Sequence, residues 1–534
     1  AALAALPRVY SVAAAGGRPQ LRDERSSQVV ADGTATPVKP GYAAFLQRIG
    51  ADGSGVTISH VDGGVDANHP DLAGRVAACI DYTATAGAAC AAGDSDDVIG
   101  HGTHTLGIVL GTGATPLRDT DGFGYGQVWR PARRRSCRTR SASPRSTRSP
   151  TATGRCTARR RTAAPSSPRT RGGPRAIRRA TTTSREFDSI VRDADEKEPG
   201  DQPLALVFSV MNGSGGTSTQ GSPDEGKNLI GVGGSGSRRF AAGATPSEDD
   251  LCTCTAHGPA LDGRFLPTLV APGQNVVSAR AAQGAVCGTP AGGALGGGYT
   301  ALPASPLHGM CTGTSMASPH VSGGYAVFVD WYRDHHGGAT PSPALVKAAF
   351  VNGADDLAGG KDADGRPLKP IPNNQQGWGR FNLGNVIDGW QAGAVAVDQT
   401  VVFDSAGQSS TVTVEPIDPT KPLKATVAWT DALGPGLGGA VPAWVNDLDL
   451  RVTAPDGATF KGNVFAGGMS AAGGDADRRN NLENVFLPAS PAGAYTVSVG
   501  AANLIDDGLP NRPGATDQDF ALVVTNARIV PPAN

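Results

Sequence analysis

The stretch LALVFSV at 204–210 is a continuous apolar run, and it constrains the fold more than any other part of the chain. A sheet with one wet face reads as alternation, whereas an unbroken run suits a parallel strand covered on both faces. GVTISHVDGGVD at 55–66 reads as a second buried strand, ending in the Gly-flanked Asp62. After Ser315, MASPHVSGGYAVFVDWY sets small residues first and then Val, Phe and Trp at helical spacing. Strands alternating with helices predict an α/β fold, an open and mostly parallel sheet with helices on both faces.

Past residue 395 the texture changes. STVTVEP, KATVAWTD, DLDLRVTAPDG, AYTVSVG and FALVVTNA are short alternating strands separated by turn residues. They predict an antiparallel β-sandwich over 395–534, following an α/β domain over 21–394. A chain of 534 residues is long enough for both cores. No apolar run approaches the ~20 residues of a membrane helix, so no membrane partner is expected. With no initiator Met and no signal peptide, the chain is expected to begin downstream of a leader.

The formal net charge of −1 conceals a split in the sequence. From Val128 to Ala180 there are 17 Arg and no Lys, Asp or Glu. Without them, the 47 basic residues fall to 30 against 48 acidic ones, a net of −18. The rest of the chain is therefore acidic, with no general attraction for polyanions. Eight cysteines show no CxxC or zinc spacing, which argues against a metal centre. Cys79 and Cys90 flank a short Ala/Gly loop, and Cys287 and Cys311 flank a Gly/Pro-rich excursion. Both pairs read as loop-closing disulfides of an oxidising compartment, with free buried thiols as the alternative. Cys252 and Cys254 stand too close in sequence to be expected to pair.

Three short motifs carry chemistry. VDGGVDANHPDL places Asp62 at a strand end, GHGTHTLG places His101 among small residues, and CTGTSMASPHVSG places Ser315 at a Gly-bounded turn into a helix. Serine is a poor nucleophile unless an adjacent base takes its proton, and that base needs an orienting carboxylate. A helix N-terminus under the serine adds N–H groups aimed at developing negative charge. Each motif alone has a plain structural meaning, a turn or a helix cap. In the order Asp, His, Ser, these motifs resemble the subtilases, the subtilisin-like serine peptidases, over roughly residues 20–395.

The resemblance implies that Asp62 orients His101, that His101 is the general base and that Ser315 is the nucleophile. FSVMNGSGG at 208–216 matches the family's Ala-Gly-Asn segment and puts the oxyanion donor on Asn212. Met211 replaces the Gly that lines the base of the primary specificity pocket, so a side chain is expected to fill that pocket. Gly63 stands where Ser or Thr is usual, His60 interrupts an apolar strand, and Thr268 stands where Asp is usual. Asp66, His69, Asp71, His104 and His320 are expected to be structural. VNDLDLRVTAPDG and RRNNLENVFL are similar to the jelly-roll domain that follows the catalytic domain in one extracellular branch. RPQLRDERSSQVVADG is similar to that branch's mature start, which makes residues 1–20 a propeptide remnant.

In such an enzyme the interval between the His and Asn motifs holds a Gly-Val-Ala-Pro turn, a buried strand and a Ser-Trp-Gly segment that pairs with substrate. Between Val128 and Ala180 the only residues from the set Val, Ile, Leu, Met and Phe are Val128 and Ile177. VWRPAR can be written GTG TGG CGC CCG GCG CGC, whose third-base frame reads Val-Ala-Pro-Gly-Ala. TRGGPRAIRRATT can be written so that a shifted frame reads Asn-Ser-Trp-Gly-Ala-Pro-Arg-Asn-Pro-Ala-Arg-Tyr-Asp. Residues 128–182 thus read as a frame-shifted segment, with a basic disordered insert and a nucleic-acid arm as rivals. They are expected to run as irregular chain outside the sheet, leaving the protein misfolded or inactive.

The expected protein is a secreted, monomeric serine endopeptidase acting on proteins or peptides through an acyl-enzyme, with no nucleic-acid partner. An inactive subtilase scaffold that binds protein or polysaccharide through 395–534 is the alternative. No cofactor is required for the chemistry. GDSDD at 93–97, DADG at 362–365 and NDLDL at 446–450 are candidate loops for structural calcium, acidic surface loops being the commoner meaning.

Overall fold

The computed structural model describes residues 24–31, 41–81, 88–89, 97, 100–114, 117–119, 122–123, 134–138, 182–237, 247–282, 299–301 and 305–531. Residues 1–20 lie outside this set, as does most of 128–182.

The α/β region contains helices α1 (Glu24–Val29), α2 (Tyr42–Ile49), α3 (His101–Leu110), α4 (Thr182–Arg192), α5 (Thr314–His335), α6 (Pro343–Asn352) and α7 (Leu383–Gly393). Its strands are β1 (Ser59–Asp62), β2 (Val76–Asp81), β3 (Ala88–Ala89), β4 (Arg134–Arg138), β5 (Val207–Ser209), β6 (Ile230–Ser235), β7 (Leu269–Pro272), β8 (Val276–Ala279), β9 (Tyr299–Ala301) and β10 (His308–Cys311). Parallel pairing gives two groups, β1-β4-β2 with β3 antiparallel at its edge, and β5-β6-β7. Strands β8, β10 and β9 form an antiparallel trio. Only the later part of LALVFSV is paired, as β5.

Helix α5 runs through the main core. Its Val321, Val327, Phe328 and Trp331 are buried, and Phe328 meets Phe350 of α6 edge-on at 5.8 Å. Each such side chain contributes about 1.5–3 kcal/mol on burial. Helix α6 starts where Ser342 accepts the Leu345 N–H at 3.0 Å, with Pro343 supplying a preset φ in the first turn.

From Ala394 onward the chain is antiparallel β. It comprises β11 (Ala394–Phe403), β12 (Ser409–Pro416), β13 (Leu423–Ala428), β14 (Asp447–Thr453), β15 (Thr459–Ala466), β16 (Met469–Ala472), β17 (Leu482–Leu487), β18 (Tyr495–Asn503), β19 (Gln518–Thr525) and β20 (Ala527–Ile529). The strands pair as β11-β19-β13-β17 and as β16-β15-β14-β18-β12-β20. The two sheets share a core that includes Val414, Leu423, Leu450, Val497 and Leu522. On the other face of the first sheet, Ala428, Ala521 and Val523 join the core of the α/β region.

Buried ion pairs fasten the two regions. Arg192 donates to both oxygens of Asp519 at 2.8 and 2.6 Å, and Lys227 Nζ lies 2.5 Å from Asp431 with neither side chain exposed. Asp431 also accepts the N–H groups of Val445 and Asn446 at 2.9 and 2.8 Å. Removing one partner of such a pair strands the other charge in a site without water. Asp431→Ala is expected to destabilise the protein by about 3–5 kcal/mol. Urea denaturation checks this, and a loss under 1 kcal/mol would contradict it.

Two expectations are corrected. Residues 134–138 are not outside the sheet; they form β4, which pairs in parallel with β1 on one side and β2 on the other. Ladder bonds use backbone N–H and C=O groups, which every residue but proline carries, so the slot is paired whatever the side chains are. Cys252 and Cys254 do pair. A tight turn, closed by the Thr255 N–H on the Cys252 carbonyl at 3.0 Å, leaves their Cα atoms 5.1 Å apart, within the normal span of a disulfide. Cys79 and Cys311 are each disulfide-bonded, while the expected partners Cys90 and Cys287 lie outside the described residues.

Candidate active site

Asp62 ends β1, His101 opens α3, and Ser315 is the second residue of α5. Strand β1 delivers the carboxylate to the start of α3 because nothing bulky intervenes. A Cβ on Gly102 would meet the Gly64 carbonyl oxygen at 2.0 Å and Asp62 Cβ at 3.1 Å, so only glycine allows this approach. His101 Nδ1 then lies 2.8 and 2.9 Å from the two oxygens of Asp62, with side-chain exposures of 24% and 14%.

The electrostatics follow from that contact. Burial would lift the Asp62 carboxyl. The charge and hydrogen bond of His101, reinforced by His60 and the Gly63 N–H, overcome burial and hold it well below the usual carboxylate range. Burial would lower His101, but the charge and hydrogen bond of Asp62 prevail and raise it above its ordinary 6.5. The pair is an imidazole fixed by a carboxylate through Nδ1, leaving Nε2 as the nitrogen for proton exchange.

Asn212 reaches the start of α5. Its Oδ1 accepts from Thr314 N at 2.9 Å and from Thr314 Oγ1 at 3.0 Å, one residue before Ser315. Helix α3 packs against α5. Among the described residues no hydrogen bond joins Ser315 to His101, a separation common in sites without substrate. Met211 has a φ of +58° and is 47% exposed, so its side chain stands partly in solvent. That left-handed conformation costs a Cβ-bearing residue about 1–2 kcal/mol, which explains why glycine suits the position.

The remaining motif residues make hydrogen bonds within the scaffold. Asp66 accepts the Asn68 and Ala282 N–H groups. Asp71 takes His308 Nε2 at 2.9 Å, both fully buried, and His69 Nε2 lies 2.8 Å from the Leu307 carbonyl. His104 is driven down to about 3 by burial and rests on the Gly309 carbonyl. His320 Nδ1 rests on the Met316 carbonyl. Thr268 accepts the Gly231 N–H.

One residue that the sequence motifs do not assign also touches Asp62. Thr105 Oγ1 lies 3.0 Å from Asp62 Oδ2 and 3.0 Å from His60 Nε2. The signal was a hydroxyl one helical turn beyond His101, on the face that meets β1.

Of the candidate calcium loops, Asp97 caps α3 through the Gly100 and Thr103 N–H groups. Asp447 and Asp449 are raised by burial and by neighbouring carboxylates, Asp447 to about 6. Asp362 and Asp364 converge with His257 closely enough to share one ion. Each already has work there. Asp364 accepts the Gly216 N–H, Asp362 accepts those of Asp364 and Arg366, and His257 Nδ1 lies 3.2 Å from the Gly216 carbonyl. An imidazole among the ligands suits a transition ion better than calcium.

The α/β scaffold thus carries a serine in the first turn of α5 and, on the helix α3 packed against it, a carboxylate-held imidazole. The subtilase family model matches residues 53–379, and the chain belongs to the subtilase family. It is 25% identical over 281 residues to the serine protease/ABC transporter B family protein tagA of Dictyostelium discoideum, covering 48% of this chain and 14% of that protein. It is 41% identical over 63 residues to a subtilisin of Bacillus sp. strain TA39, covering 12% of this chain and 14% of that one. The chain thus spans about one seventh of the length of these relatives. Among solved structures, the serine protease of Aeromonas sobria aligns over 98% of both chains at 14% identity and a TM-score of 0.43. Sphericase aligns over 68% of this chain and 99% of its own, at 17% identity and a TM-score of 0.40.

Proposed function

We propose that the chain is a secreted serine endopeptidase whose nucleophile, base and orienting acid are Ser315, His101 and Asp62. The observation that carries this reading is the double contact of His101 Nδ1 with Asp62 on a helix packed against the one whose second residue is Ser315. His101 Nε2 takes the Ser315 Oγ proton as Oγ bonds to the scissile carbonyl carbon. The resulting oxyanion is met by Asn212 Nδ2, the donor end of a carboxamide whose oxygen is tied to Thr314, and by N–H groups of the α5 first turn. Collapse expels the amine, which takes its proton from His101. Water then repeats the sequence on the acyl-enzyme and restores Ser315. No step needs a cofactor, and calcium is assigned at most a structural role.

Secretion is supported by the Cys252–Cys254 disulfide and by disulfide-bonded Cys79 and Cys311, for which Cys90 and Cys287 are the proposed partners. Among the described residues no helix is long and apolar enough to cross a membrane. A jelly-roll connectivity for the β region and a monomeric state belong to the same proposal.

Covalent labelling of Ser315 by a fluorophosphonate tests the reading. No label in a chain whose frame is restored across 128–182 would favour the inactive scaffold. Two further results are expected there. Replacing Asn212 by Ala lowers kcat roughly 10²- to 10³-fold with the label still accepted; an unchanged kcat would remove Asn212 from the site. Labelling slows as pH falls through the His101 pKa, with its midpoint above 6.5, because only neutral imidazole accepts a proton. Asp62→Asn removes the charge that raises this pKa and moves the midpoint down; an unmoved midpoint would contradict the assignment.

A further inference from the structure

Asp62 is held by more than His101. Its Oδ1 accepts the Gly63 N–H at 2.6 Å as well as His101 Nδ1. Its Oδ2 lies 2.9 Å from His101 Nδ1 and 3.0 Å from Thr105 Oγ1. The Thr105 hydroxyl has one proton and several acceptors in reach: this carboxylate, the His101 and Gly102 carbonyls at 3.1 and 3.2 Å, and His60 Nε2 at 3.0 Å. Only the carboxylate is charged. A charge-assisted bond is roughly twice as strong as a neutral one, so the proton goes to Asp62 Oδ2. The Thr105 oxygen then has its lone pairs available, and His60 Nε2 must be the donor toward it. The direct gap from His60 Nε2 to Asp62 Oδ2 is 3.7 Å, too long for a hydrogen bond. His60 and Asp62 side chains are each only 14% exposed, so water competes weakly for these groups.

We infer that His60 and Thr105 are positioning residues that fix the orienting carboxylate through the chain His60 Nε2–H to Thr105 Oγ1–H to Asp62 Oδ2. This rests on the reading of Asp62 as the acid that orients His101. The chain links β1 to α3 and ties the oxygen that Gly63 does not hold. With both oxygens fixed from outside the imidazole, the carboxylate plane cannot turn, and His101 keeps Nε2 in one direction. The device gives His60 a use, since an imidazole only 14% exposed otherwise costs burial without return. The hydroxyl is essential to it, because an isosteric Val at 105 has the shape of Thr but neither donates nor accepts.

The test is ¹⁵N-histidine NMR of the full chain, as written and with the restored frame, with resonances assigned by their loss in His60→Phe and His101→Gln. His60 is expected in the Nε2–H tautomer, and His101 is expected to show a protected low-field Nδ1 proton. Thr105→Val and His60→Phe each broaden that proton away, the double variant does no more than either single one, and Thr105→Ser restores it. A His60 in the Nδ1–H tautomer, or a His101 Nδ1 proton unmoved by Thr105→Val, would overturn the inference. Ser315→Ala leaves these signals in place, so failure of the nucleophile assignment shows separately, as the absence of fluorophosphonate labelling.

Discussion

Replacing Ser315 by Ala, in a chain whose frame is restored across 128–182, is expected to lower kcat on unfolded protein by roughly 10⁶-fold. The hydroxyl supplies the only bond that forms to the substrate, and without Oγ there is no acyl-enzyme for water to open. His101 then has no proton to take, so its contact with Asp62 at 2.8 Å does no catalytic work. For that reason the losses should not add. His101→Ala placed on top of Ser315→Ala is expected to change little, because members of a triad act as one unit. What survives is the residual rate due to Asn212 and substrate binding, on the order of 10³–10⁴ over water. Release of labelled peptides from a denatured protein measures this, with circular dichroism confirming that the variants fold. Inhibitor-sensitive turnover by Ser315→Ala would remove Ser315 from the mechanism.

How legible this site was depends on how far its contacts reach along the chain. Asp62, His101, Asn212 and Ser315 each sit in a short motif whose glycines do a local job, as Gly102 does where α3 meets β1. Such motifs announce themselves. The Thr105 bridge does not, because it joins residues 45 apart and its members look ordinary by themselves: a histidine in a strand and a threonine in a helix. The same holds for Lys227 and Asp431, 204 residues apart, whose buried pairing no composition or spacing indicates. The Cys252–Cys254 disulfide is illegible for a different reason: closeness in sequence argues against pairing, and only the turn between the two cysteines decides the matter. In the β region, alternation is enough to place β12, β14 and β18, since a strand with one buried face writes its register in every second residue, whereas β13 and β19 are buried on both faces.

The largest effect is expected from the segment that the sequence marks as foreign. Strand β4 is flanked on both sides, by β1 in the register Asp62 with Arg138 and by β2 in the register Asp81 with Arg138. The strand that carries the orienting acid therefore takes its neighbour from inside 128–182. Central parallel strands are ordinarily near-continuous apolar runs, and this one reads RRSCR. The backbone can make the ladder with any sequence, but each large apolar side chain missing from a two-faced strand forfeits about 1.5–3 kcal/mol of burial. A few such losses approach the roughly 5–15 kcal/mol by which a domain is stable, and they fall on the strand next to Asp62. The Ser-Trp-Gly segment expected to pair with substrate is also absent from 128–182 as written. The chain as written is therefore expected to take no fluorophosphonate at Ser315 and to hydrolyse nothing, while the chain with the shifted frame restored across 128–182 labels and turns over. Both proteins contain Asp62, His101 and Ser315, so the comparison isolates what the missing strand contributes. Equal labelling of the two would mean that RRSCR is a native strand and that the arginines belong to the protein.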